Sequence, residues 1–146
     1  MSNNNNTPSI YARYVDDIFV QVIDVEQLID LKERFQCNSV LNFTFELNTN
    51  NKLPFLDVLV DSNNSKFHTT VYHKPTNPGI CLNAHSECVE RYKNSVVNNY
   101  LNRAYKVTDT WPDFHNEVLH IKQMLVNNNY SNSKVDRLII EFVQDK

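Results

Sequence analysis

The sequence predicts an α+β fold, with antiparallel strands and one helix over residues 10–79 and an all-helical part over residues 80–146. Three observations carry this. Short alternating runs of β-branched and aromatic residues, separated by polar turns, fill the first half. Apolar residues recurring every three or four positions fill the second. The charge changes with them: residues 1–62 hold four bases and nine acids, whereas residues 63–146 hold ten bases and eight acids. Six of those bases, against two acids, fall between Lys66 and Lys106, a balance that suits a part gripping a nucleic-acid backbone, although on charge alone ordinary surface variation is the favoured reading. At 146 residues and 41% hydrophobic, the chain is long and apolar enough to bury a core, which excludes a wholly disordered protein.

The elements follow in order. Residues 1–9 read as a polar, disordered lead-in. A hairpin spans Ile10 to Ile23, with Asp16 and Asp17 carried on its turn. Asp24 is placed to cap a helix over Val25 to Phe35, with Gln27 at the capping-box position and Leu28, Leu31 and Phe35 along one face. Residues 42–47 alternate as a strand, 48–52 turn, and Leu53 to Val60 return as one strand with Asp57 inside it. Residues 61–65 turn again, 66–73 form a further strand, and the run from Lys74 to Gly79 ends the β-rich half. Asparagine is abundant, 22 residues against the single Gly79, so Asn is expected at turn positions with left-handed backbone.

In the second half, Ser86 is placed to cap a long helix with the stripe Val89, Tyr92, Val96 and Tyr100. Glu87 and Glu90 lie in its first turn, and Arg103 and Lys106 near its end, as the helix dipole favours. A second helix runs from Trp111 to Leu125 on Phe114, Val118, Ile121 and Leu125. After a break at 127–131, a third is opened by Ser133 and uses Val135, Leu138, Ile139 and Phe142. The last two helices have a helix-turn-helix outline. Cys81, His85 and Cys88, with His73, lack the tight Cys pairs of common zinc modules, so no zinc site is expected. The opening residues lack the charged and apolar regions of a signal peptide, and no apolar run reaches membrane-spanning length. The expectation is an intracellular protein, nuclear or cytoplasmic, with no membrane partner.

The densest candidate site is Tyr14-Val15-Asp16-Asp17. Two adjacent carboxylates on a hairpin tip repel one another and suit a divalent cation, which points to phosphoryl transfer by a two-metal mechanism. Five segments, Arg13–Val20 around that tetrad, Leu53–Val60, Thr70–Asn77, Tyr92–Val97 and Arg103–Tyr105, occur in an order that resembles the reverse transcriptases of Penelope-like retroelements. The resemblance implies a partial right-hand polymerase palm over 10–79 and a helical thumb over 80–146. It implies Asp16 as a ligand of Mg²⁺ or Mn²⁺ with Asp17 in support, and Tyr14 and Val15 beside the primer end and an incoming deoxynucleotide. The strands around Phe67 to Lys74 would be a primer grip, and the helices would hold an RNA template–DNA primer duplex. Lys74, Arg91, Lys93, Arg103 and Lys106 are the candidate contacts to its backbone.

Such an enzyme carries another catalytic Asp on an upstream strand and an endonuclease after the thumb. Only nine residues precede Ile10, none of them acidic. A fragment is therefore expected, one that binds metal weakly and does not polymerise alone. The rival reading is a non-catalytic nucleic-acid-binding module of helix-turn-helix type, or the product of a decayed element.

Overall fold

A computed structural model describes residues 7–63 and 66–146. The chain divides into two compact units, residues 1–49 and 50–146. The expected disordered lead-in falls largely on residues 1–6, outside the described residues, as do Asn64 and Ser65 of the expected 61–65 turn.

In the first unit, β1 (Ile10–Tyr14) pairs antiparallel with β2 (Asp17–Gln21), and Tyr14 stands opposite Asp17. The turn is therefore Val15-Asp16, and Asp17 already belongs to the second strand. Val15 has φ +54°, a conformation that costs a β-branched residue on the order of 1–3 kcal/mol. Arg13 Nε donates to Val15 O at 2.8 Å and holds the turn closed. Helix α1 (Val25–Cys37) begins as the sequence predicts, with Asp24 Oδ1 accepting from Gln27 N at 2.8 Å. Gln27 returns the bond one residue earlier than a capping box would, accepting from Ile23 N at 2.8 Å. Phe35 packs against Tyr11 and Phe43, with ring centroids 6.5 and 5.4 Å away.

The predicted strand over 42–47 does not form, because nothing pairs with it among the described residues. The expected class of antiparallel strands with one helix over 10–79 is present, without showing a polymerase palm. The described strands form two separate sheets, and the Asp16–Asp17 hairpin is two-stranded.

In the second unit, the predicted strand over 53–60 is instead a tight hairpin. Strand β3 (Lys52–Phe55) turns at Leu56-Asp57 into β4 (Val58–Asp61), which pairs with β5 (His68–Val71). Leu56 takes φ +57° at this turn, repeating the pattern of Val15-Asp16: an apolar residue in the left-handed region, then Asp. The sequence hides the turn because its residues are those of a strand. Asn50, Asn51 and Asn129 fill other left-handed positions, as the scarcity of glycine predicts.

Helices α2 (Glu90–Val107), α3 (Trp111–Asn127) and α4 (Asn132–Gln144) each pack against the other two. Helix α2 starts at Glu90, not after Ser86, and its buried stripe is Val97, Leu101 and Ala104. The predicted stripe is rotated from this by about 100°, one residue step: Tyr92 and Val89 face out, while Val96 and Tyr100 pack against the core from its edge. In α3, Phe114, Val118, Ile121 and Leu125 are buried as predicted. In α4, Val135, Leu138 and Phe142 are buried, with Ile139 packed against the core from its edge. Tyr105, Trp111, Phe114 and Phe142 close one end of the bundle with edge-on and tilted ring contacts.

Asn128, buried just after α3, ties the preceding segment to this bundle. Its Nδ2 donates to Gly79 O and Met124 O, both at 2.8 Å, and its Oδ1 accepts from Cys81 N at 3.2 Å. Its own carbonyl accepts from Ala84 N at 3.0 Å. Residues 79–84 thus run along the helices without belonging to any. Asn128→Ala is expected to destabilise the second unit by about 2–3 kcal/mol, since it leaves the part-buried Gly79 O and Cys81 N without this partner, and urea unfolding followed by circular dichroism checks this.

Tyr130 is 3% exposed and its hydroxyl has no hydrogen-bond partner among the described residues. Burial pushes its pKa up to about 12, from an ordinary 10.0. Between these values the unfolded chain has lost the phenolic proton while the folded chain keeps it, so this contribution to stability is present below pH 10 and is lost as pH rises towards 12. Tyr130→Phe is expected to flatten that alkaline decline in thermal melts and to cost little at neutral pH.

Candidate nucleic-acid interface

Between Glu90 and Asp109 the chain carries no acid, but it carries Arg91, Lys93, Arg103, Lys106 and four asparagines. Helix α2 occupies most of this stretch, and burial of Val97, Leu101 and Ala104 fixes which side faces out. That outward side carries Arg91, Ser95, Asn98, Asn99 and Lys106, all exposed, with Asn102 half-buried beside them. Arg91 and Lys106 stand at opposite ends, about 22 Å apart along the axis. Helices α3 and α4 offer no comparable face. Arg137 lies 3.7 Å from Glu141, and Lys122 2.5 Å from Asp136.

The structure separates the five predicted phosphate contacts. Arg91 and Lys106 are exposed and have no carboxylate partner among the described residues. The Arg91 guanidinium lies over the Tyr92 ring at 5.5 Å, which orients it without neutralising it. Lys74, just beyond β5, is likewise exposed and unpaired among the described residues. Lys93 is largely covered and lies 3.9 Å from Glu90. Glu90 also pairs with Lys134 of α4, and that hydrogen bond holds its carboxyl below the usual range.

Arg103 is engaged differently. Its Nε lies 2.7 Å from Asp57 Oδ2 at the β3–β4 turn. The Nε–H points at no acceptor, so this is an ion pair by distance and not an aligned hydrogen bond. Asp57, expected inside a strand, is a turn residue whose charge faces a helix cation. Two further contacts fix the same strands against the helices. Thr69 N donates to Asp109 Oδ2 at 2.6 Å, with Thr69 Oγ1 donating to Val107 O at 2.7 Å. His73 Nε2 meets Glu117 Oε2 at 2.8 Å.

Asp16 and Asp17, with Tyr14 and Val15, lie exposed in the other unit. Among the described residues, no group of three or more His, Cys, Asp or Glu stands close enough to hold a metal ion. No helix among them is long and apolar enough to cross a membrane.

Sequence reading missed Asn98, Asn99 and Asn102, although the acid-free run that contains them was visible. It also missed a cleft of about 230 Å³ beside α2, lined among others by His73, Asn77, Arg103, His120 and Gln123. No local motif announces the cleft, because its walls come from three separate segments.

Among curated proteins and among solved structures, none matches this chain. Residues 80–140 match the family model of an animal helix-turn-helix domain. The matched span takes in the pinned segment, α2, α3 and most of α4. It overturns the expected resemblance to a Penelope-like reverse transcriptase, because the residues assigned to a polymerase thumb match a helix-turn-helix domain instead. The associated readings of retroelement origin and magnesium-dependent polymerisation fall with it. What remains is similarity, over the helical segment, to an animal helix-turn-helix domain.

Proposed function

We propose that the helical part of this chain is a non-catalytic nucleic-acid-binding module that holds duplex DNA by its backbone. The acid-free outward face of α2 carries this reading, and the helix-turn-helix match over 80–140 supports it. Arg91 and Lys106 at the ends of the face, with Lys74 nearby in sequence to the strands docked on α2, supply the phosphate contacts. Exposed Asn98 and Asn99 supply hydrogen bonds between them. Lys93 and Arg103 contribute less, since each already faces a carboxylate.

The charge balance sets the strength. With a formal net charge of −3, the whole chain gives no long-range pull towards a polyanion. Binding then depends on a few close contacts, and its strength is that of non-specific recognition, about 10⁻⁴–10⁻⁶ M at physiological salt. Such a role fits an intracellular protein.

Three phosphate contacts give a slope of about −2.7 in log K against log salt, or roughly a 40-fold loss of affinity between 50 and 200 mM. Fluorescence anisotropy of a labelled DNA duplex with the full chain measures it, and sequence is expected to matter little. Reversing charge in the double variant Arg91→Glu, Lys106→Glu is expected to cost at least about tenfold and to flatten the slope by about two contacts. Affinity that does not change with salt would refute the proposal.

A further inference from the structure

We propose that the cleft flanking α2 takes a single unstacked nucleobase from the end of a strand that α2 holds; this rests on the duplex-binding reading above. The cleft lies between α3 and residues 73–79, with Tyr100 and Arg103 of α2 on its border, so it adjoins the face assigned to the backbone. Its volume of about 230 Å³ falls below the ~300–1,000 Å³ of sites for whole small molecules, which favours a flat ring over a complete nucleotide.

Its chemistry selects a base over a phosphate. Glu117 contributes a carboxylate to the lining, and the Arg103 charge is opposed by Asp57 at 2.7 Å, so the cleft offers no uncompensated cation to an anion. It does offer a platform. The His73 and His120 rings lie with centroids 4.1 Å apart and planes tilted by 40°, and the His73–Glu117 bond at 2.8 Å fixes the His73 ring. His120 is exposed, which leaves its outer surface open for stacking. Pro78, Ile121 and Met124 supply apolar wall.

Amides at the rim supply edge recognition. Asn77 Oδ1 accepts from Gly79 N at 3.0 Å, and Gln123 Nε2 donates to Asn127 Oδ1 at 2.9 Å. Those bonds orient the Asn77 Nδ2 donor and the Gln123 Oε1 acceptor, which have no partner among the described residues. A donor and an acceptor beside a stacking surface suit the polar edge of a nucleobase.

The test compares three labelled DNA probes bound to the full chain: a blunt duplex, the same duplex with a short single-stranded 3′ overhang, and one whose overhang is abasic. The overhang is expected to bind about tenfold tighter than the blunt duplex, and the abasic overhang no tighter than the blunt one. His120→Ala, a change at an exposed position, is expected to abolish the gain while leaving blunt-duplex affinity unchanged. An overhang without gain, an equal gain from the abasic probe, or a gain that survives His120→Ala would each overturn the cleft assignment while the duplex reading stood. If the blunt duplex itself does not bind, the duplex-binding reading fails and takes the cleft assignment with it.

Discussion

The second unit is organised around one buried amide. Asn128 sits where α3 ends, and a helix end exposes carbonyls that need partners. Its Nδ2 covers the Met124 carbonyl and reaches across to Gly79, while its Oδ1 and backbone carbonyl receive Cys81 and Ala84. An irregular segment that packs against a helical core needs such partners wherever its peptide groups lose water. Gly79 makes the approach possible with φ +66°, a backbone conformation strained for any residue with a side chain. The helix-turn-helix match begins one residue later, at 80, so the conserved-domain similarity includes this pinned segment as well as the helices.

A second set of contacts places the small sheet. Thr69 to Asp109, Asp57 to Arg103 and His73 to Glu117 each join the sheet or its flanking residues to the helices or the α2–α3 connection. The Asp57–Arg103 pair is individually modest, because partly exposed ion pairs contribute about 0–1 kcal/mol. Together these contacts decide which cations are available. Arg103 is held by the sheet, whereas Arg91 and Lys106 project from the same helix with no such constraint. A count of basic residues along α2 therefore overstates its reach towards phosphate, and the two ends of the helix matter most.

The helix-turn-helix match over 80–140 overturned the reverse-transcriptase resemblance, and the hairpin that had suggested it shows how little a short motif fixes. Tyr14-Val15-Asp16-Asp17 does form a hairpin tip, so the local prediction was sound. Chemistry at such a tip needs further ligands brought in by neighbouring strands, and the described sheet around it has only β1 and β2. A short motif specifies its own backbone, and the function attached to it depends on surroundings the motif does not encode. The Leu56-Asp57 turn makes the same point in reverse. There an apolar run was read as one strand, while cross-strand pairing of Phe55 with Val58 folded it in two.

By itself the sequence determined the α+β class, the cap at Asp24, the faces of α3 and α4, and the use of Asn in left-handed turns. These are local or periodic features, set by capping bonds, backbone sterics and a repeat near 3.6 residues. Tertiary structure alone decided the rotation of α2, because aromatic and aliphatic residues lie around much of that helix and only contact with α3 and α4 chooses among them. It also decided that Arg103 faces the Asp57 carboxylate, and that His73, His120 and Gln123 share a cleft. Those facts depend on residues tens of positions apart in the chain, whose meeting is fixed by packing and by no spacing that one sequence displays.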